Sequence, residues 1–290
     1  MTTPFRGDSA VDSPFRREGG RNRFTARRAQ VVDVAQVAPA ITRVRVTGPD
    51  FADFVSAGPS DHIRVFFPDP ATGELVAPEP VGSGEDGIVR PDRPTHARDF
   101  TPLPAADWDG PGIAVDIDFF LHPSPGPASA WATHASPSQE LVVVGPRGSK
   151  RAPQGVSRVL LVCDETALPS ATRWAAEVPS AAGVDVIAVT GDDGGWVAEY
   201  LSSTSGRQDV RVAHVTAGDA AGLLAAIDAA AIDDSTYVFA AGEASALVPV
   251  RRHLRRTLEL PPEQVALSGY WKNGATAFDH HSPVDPSDPD

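Results

Sequence analysis

Hydrophobic positions follow two different rhythms in the two halves of the chain. From about Gln30 to Val144 they form short runs of β period. Val32, Val34 and Val37 lead into residues 41–46, where Val44 and Val46 alternate with arginines. Further runs at 62–67 (ended by Pro68), 97–103, 113–121 and 141–144 bring the predicted strands to six. On 113–121, Ile113, Val115, Ile117 and Phe119 share one face. Residues 69–96, rich in Pro, Gly and acid, read as a surface loop, and a short helix is expected near 127–134. Short strands with turn-rich connections predict a small antiparallel barrel.

The second half changes rhythm. Residues 159–163 are a continuous apolar run, as in a strand buried on both faces of a parallel sheet. The chain then turns through Asp164 and Glu165, and Thr166 is placed to cap a helix whose first turn accepts Pro169. Strand-like runs recur at 184–190, 210–215, 237–240 and 265–271. Helices are expected over 220–231 and where Leu247, Val250, Leu254 and Leu258 make one stripe. Alternating strands and helices predict a doubly wound α/β domain, with ligands at the strand carboxyl ends. Residues 145–149 read as the hinge. The expected divisions are a mobile tail at 1–27, a β domain at 28–149, an α/β domain at 150–279 and a Pro/Asp-rich tail at 280–290.

Composition narrows the classes. The chain of 290 residues is 41% hydrophobic, enough for two cores. No run approaches the roughly 18 apolar residues of a membrane span, and no apolar region follows the early arginines to make a secretory signal. A single cysteine, Cys163, fits a reducing compartment, so the expected location is cytoplasmic. The net charge of −13 argues against nucleic-acid binding. Arg6, Arg16, Arg17, Arg21, Arg23, Arg27 and Arg28 crowd the start, and Asp285, Asp288 and Asp290 mark the end; both read as tails. Arg251, Arg252, Arg255 and Arg256 lie mostly off the helical stripe and read as a solvated face.

Candidate chemistry concentrates in a few segments. In Arg98-Asp-Phe-Thr101, Arg98 can pair with a phosphate, Phe100 can stack on a planar ring and Thr101 can hydrogen-bond it; alone, the tetrapeptide reads more readily as a solvated edge. His122 precedes Gly126-Pro-Ala-Ser-Ala-Trp131, where a helix opens with free amides facing an anion, or where a hairpin simply meets a helix. There is no GxGxxG. A nucleotide would be held through Asp164-Glu165-Thr166 and Gly242-Glu243. Asp192 and Asp193, after the second parallel strand, can accept ribose hydroxyls and repel a 2′-phosphate, which favours NADH over NADPH. P-loop, nucleophile-elbow and HExxH motifs are missing. His280-His281 has no third ligand at a fixed spacing, so no metal site is assigned.

Residues 164–169 spell DETALP, which resembles the signature of the siderophore-interacting proteins, flavin-dependent ferric-siderophore reductases related to the ferredoxin reductases. Arg98-Asp-Phe-Thr resembles the family's R-x-Y-T, and His122 with Gly126-Pro-Ala-Ser-Ala-Trp-Ala resembles its pyrophosphate segment. Ala241-Gly-Glu, Arg251-Arg-His-Leu and Gly269-Tyr-Trp-Lys resemble its closing motifs. The match runs over roughly residues 25–277. The resemblance implies a six-stranded antiparallel Greek-key flavin-binding barrel followed by a parallel-sheet α/β nicotinamide domain. It implies FAD surrounded by Arg98, Phe100, Thr101, His122, Ala128 and Ser129, with Asp164, Glu165 and Thr166 facing the meeting point of flavin and nicotinamide. Electrons from NADH, NADPH or a reduced ferredoxin would pass through FAD to a ferric siderophore docked near Trp271 and Lys272. The chain departs from the pattern at Phe100, usually tyrosine, at Leu103, often arginine, and at Trp271-Lys-Asn-Gly, usually more basic. Two rival readings are a flavin reductase of the same fold with another acceptor, and a ferric-siderophore binding module without flavin.

Overall fold

The computed structural model describes residues 13–122, 126–275 and 278–288. Arg6, the residues between His122 and Gly126, and Asp290 lie outside them. Strands β1 (Ala26–Ala38), β2 (Ile41–Thr47), β3 (Ile63–Phe67), β4 (His96–Phe100), β5 (Pro102–Pro104), β6 (Ala114–Phe120) and β7 (Glu140–Val144) form one antiparallel sheet. Their order is β4-β3-β7-β1-β2-β6-β5. Val31, Val44, Ile63, Val65, Ile117 and Leu141 fill its inner face. Helix α1 (Pro127–Thr133) packs against this core through Ala128 and Ala132.

The sheet has seven strands where six were expected, and the difference lies at Thr101. Pro102 has no amide hydrogen, so the ladder that pairs Ile63 with Phe100 stops there. Residues 102–104 instead pair with β6. The two rims of the sheet are therefore one residue apart in the chain. Laid flat, six strand spacings would separate them by about 29 Å, well beyond the reach of one residue. The sheet curls until its rims approach beside Thr101. Among the described residues no ladder joins β4 to β5, so a closed six-stranded barrel is not what forms.

The second domain is a five-stranded parallel sheet, β8 (Arg158–Asp164), β9 (Gly183–Thr190), β10 (Arg211–Thr216), β11 (Thr236–Glu243) and β12 (Val265–Trp271), in the order β10-β9-β8-β11-β12. Helices α2 (Leu168–Glu177), α3 (Val197–Ser205), α4 (Ala220–Ala229) and α5 (Ala244–Arg252) connect the strands. Central β8 explains the apolar run. Val159, Leu161 and Cys163 enter the core under α2 and α3, while Leu160 and Val162 enter the one under α4 and α5. Thr166 does not cap α2. Asp164 Oδ1 accepts from both the Thr166 amide (2.9 Å) and its hydroxyl (2.6 Å), and Ala167 occupies the cap position instead.

Neither described chain end behaves as a free tail. Phe15 is buried beside Tyr237, and Arg17 lies over the Trp174 ring. Residues 19–21 pair antiparallel with 148–150. Arg27 is buried within β1, donating to the Gly145 carbonyl and to Asp53. At the other end, Arg252 donates to Asp285 (2.7 Å), and Arg251 and Arg256 both pair with Asp288. The acidic arm thus pairs with three of the four arginines expected on a solvated face; Arg251 is buried, while Arg252 and Arg256 stay exposed.

The domains are tied together through buried polar groups. Tyr200 on α3 donates its hydroxyl to Asp118 on β6 at 2.6 Å, and Arg43 grips the same carboxylate through two hydrogen bonds. Arg173 on α2 donates to Ser56 and to the Pro102 carbonyl, and Ser170 to the Pro59 carbonyl.

Candidate active site

Where the carboxyl ends of β8 and β12 face the curled sheet, the chain leaves a cleft of about 850 Å³, within the usual range of small-molecule and cofactor sites. Its sheet-side wall carries Arg98, Phe100 and Thr101, then His122, Ala128 and Ser129. Its α/β wall carries Glu165, Thr166, Tyr270, Trp271 and Lys272. Eight of the sequence-assigned cofactor residues and both assigned docking residues therefore line one cavity.

Each group has a local cause for its position. Arg98 is exposed at the rim strand and donates to the Ala97 carbonyl, leaving further N–H donors for the cleft. Phe100 packs at 4.5 Å from Phe119, between centroids, so its ring orientation is set by the core. Ala128 and Ser129 lie in the first turn of α1, where backbone amides have no partner within the helix. Ser129 donates its hydroxyl to the Phe120 carbonyl. Ser60 also lines the cleft, and its buried hydroxyl has no protein partner among the described residues, an orphan that a polar ligand would satisfy.

Asp164, Gly242 and Glu243 stand behind the wall rather than in it. Asp164 Oδ2 accepts from the Glu243 amide (2.9 Å) and from Trp271 Nε1 (2.8 Å), fixing the indole at the cleft. Burial pushes the Asp164 carboxyl up from its ordinary value. Gly242 has φ +147°, and an added Cβ would lie 2.5 Å from that carboxylate. Glu243 caps α5 through the Ala246 amide and accepts from the Asn273 amide. Glu165 accepts from the Gly191 amide at 2.7 Å, and burial raises its carboxyl. Partial burial holds the His122 imidazole below its usual value. Asp192 and Asp193 do not line the cleft: Asp192 accepts from Gly194 and from Trp196 Nε1, and Asp193 from Gly195.

Residues 30–150 match the family model described as the siderophore-interacting FAD-binding domain, and residues 156–274 match the one described as siderophore-interacting protein. The chain belongs to the siderophore-interacting protein family. Its two halves carry the family's FAD-binding oxidoreductase architecture. An uncharacterized protein of Mycobacterium tuberculosis is 31% identical over 261 residues, 85% of this chain and 90% of that one. The NADPH-dependent ferric-chelate reductase of Escherichia coli is 37% identical over 154 residues, 53% of this chain and 57% of the relative. The chain thus spans little more than half the length of that reductase. A solved siderophore utilization protein from T. fusca superimposes with a TM-score of 0.76 at 29% identity, covering 92% of this chain and all of that one. No helix among the described residues is long and apolar enough to cross a membrane.

Family motifs did not point to every cleft residue. Ser60, His62, Asp99, Lys150, His280 and His281 also line it. His62 stands at the entry of β3, and burial, with neighbouring imidazoles adding to it, pushes its pKa down to about 4. Asp99 is raised by burial, but hydrogen bonds from His280 and Arg64 outweigh that and hold it well below the usual carboxylate range. The only hint in the sequence was the His280-His281 pair, read without its third member.

Proposed function

We propose that the protein is an FAD-dependent ferric-siderophore reductase, drawing electrons from NADH, NADPH or a reduced ferredoxin. One observation carries the reading: a single cleft joins Arg98–Thr101 and the first turn of α1 to Trp271 and Lys272. The chemistry FAD supplies is the conversion of a two-electron hydride into the single electrons that Fe(III) accepts. Around it, Arg98 neutralises diphosphate charge, the α1 amides add donors, and Phe100 offers a ring for stacking in place of the family's tyrosine. The curled sheet serves as the flavin-binding barrel of the family. Asp164 positions Trp271, and exposed Lys272 supplies positive charge for an anionic ferric chelate. Asp192 and Asp193, two acids following β9, favour NADH over NADPH by repelling a 2′-phosphate. The buried, reduced Cys163 suits a cytoplasmic location.

The test is the visible spectrum of freshly purified protein, without oxygen, before and after NADH or NADPH. Flavin bands should bleach and then return on adding a ferric siderophore, with Fe(II) captured by a ferrous chelator. A protein that stays colourless after reconstitution with FAD would defeat the reading. Arg98→Ala should retain flavin about 10- to 100-fold more weakly, the scale of a lost charged hydrogen bond; full occupancy after gel filtration would place Arg98 elsewhere.

A further inference from the structure

We propose that His62, His280 and His281 form a binding site for a divalent first-row transition cation, opening on the same cleft. Their candidate ligand nitrogens all lie within 4.8 Å of one another. The His62 and His280 Nε2 atoms are 3.1 Å apart. Two imidazole nitrogens at that distance need something positive between them, a proton or a metal. For comparison, a tetrahedral ion with bonds of 2.0–2.1 Å separates its ligand nitrogens by about 3.3 Å. The ring centroids of the three imidazoles stand 4.3, 5.7 and 4.0 Å apart pairwise, so all three rings are mutual neighbours.

The surroundings are those of a metal ligand rather than of a chance contact. His280 Nδ1 lies 3.2 Å from Asp99 Oδ2. A carboxylate on one ring nitrogen fixes the tautomer and turns the other nitrogen's lone pair toward a metal. Asp99 is itself held by Arg64 through two hydrogen bonds of 2.8 and 2.7 Å. The acidic arm, clamped by Arg251 and Arg252, brings His280 and His281 to the entry of β3 from far along the chain. His281 is exposed, which leaves an open side for water or for an arriving ion.

The donor set also favours one oxidation state of iron. Siderophores hold Fe(III) with hard oxygen donors, whereas neutral imidazole suits Fe(II) and its divalent neighbours. The triad would leave the ferric chelate untouched and take the ferrous ion once it is formed. This choice of iron rests on the reductase reading; the cation site does not.

The experiment titrates Co²⁺, as an air-stable stand-in, into the purified flavin-containing protein, followed by its visible ligand-field bands and by calorimetry. One Co²⁺ per chain is expected. His280→Ala and His281→Ala should each weaken binding by more than the roughly 10- to 100-fold that a lost outer-shell partner costs, and Asp99→Asn by about that amount. His134→Ala, on an exposed residue outside the cleft, should leave binding unchanged. No uptake, or uptake that survives both His280→Ala and His281→Ala, would overturn the site. Anaerobic Fe²⁺, titrated without Co²⁺ and followed by calorimetry, should bind at one per chain, more weakly than Co²⁺, and lose that binding in His280→Ala; no Fe²⁺ uptake would overturn the ferrous assignment. Flavin bleaching by NADH or NADPH, read in the same samples, separates the two ideas. Bleaching without Co²⁺ uptake sinks the site and spares the reductase. Co²⁺ uptake by a flavin-free chain spares the site and removes its ferrous role.

Discussion

At the scale of single residues, Asp164 has the widest reach. Its two oxygens take four donors, from Thr166, Glu243 and Trp271, and so connect β8, β11 and β12 at the cleft. Asparagine would keep one acceptor oxygen and turn an NH₂ toward the other donors. Asp164→Asn should cost about 2–4 kcal/mol from one or two such mismatches, seen as a lower thermal midpoint, and should loosen Trp271, seen in its fluorescence. Gly242→Ala attacks the same junction from behind, because both its positive φ and the carboxylate 2.5 Å from the new Cβ oppose it. Cys163, next in line, is fully buried, and burial pushes its thiol up. It should resist a thiol reagent at pH 8 in the native protein and react at once in denaturant.

At the scale of elements, the legible parts were those whose cause is local. The buried run of β8 and the stripe of Leu247, Val250 and Leu254 follow from periodicity, although α5 ends at Arg252 and a wider π turn over His253–Thr257 carries Leu254. DETALP located the turn between β8 and α2. The break at Thr101 was also present in the sequence, as Pro102, but residues 97–103 were read as one strand across it. The arms were not legible. Basic residues on α5 and acids 33 or more residues later are each ordinary solvated charge until the fold sets Arg252 against Asp285. For the same reason the cleft was readable from motifs on Arg98–Thr101 and 164–166, whereas His62 joins His280 only in three dimensions. The clamp has a pH signature. Hydrogen bonds from Arg256 and Arg251 lower Asp288 to about 2. A depressed carboxylate contributes fully above its unfolded value, about 4, and loses that contribution as pH falls through its folded value. Backbone NMR signals of residues 278–288 should therefore hold their native positions above pH 4 and move to those of a released arm as pH falls toward 2. High salt should weaken the same pairs, since they lie near the surface.

At the scale of the whole molecule, the domains are joined by apolar packing, with Ile41 of the first buried in a core of the second, and by a few buried polar contacts. Tyr200→Phe removes the hydroxyl that reaches Asp118 but leaves Arg43 on that carboxylate. The expected cost is about 1–3 kcal/mol, with the first domain's secondary structure unchanged by circular dichroism. Arg173 buries its guanidinium against Ser56 and Pro102, so Arg173→Ala should cost more and lower the thermal midpoint further. The curled sheet adds a consequence of its own. Because Thr101 alone separates the two rims, a ligand that holds residues 98–101 fixes one rim at its junction with the other and works as a clasp. Whatever binds the closed form and not the sprung one drags the equilibrium with it, by RT ln(1 + [L]/Kd). Cofactor occupancy would then be readable far from the cofactor. Amide exchange should slow together along β3 and β6, the partners of the two rims, while the centre of the sheet, already closed, hardly changes.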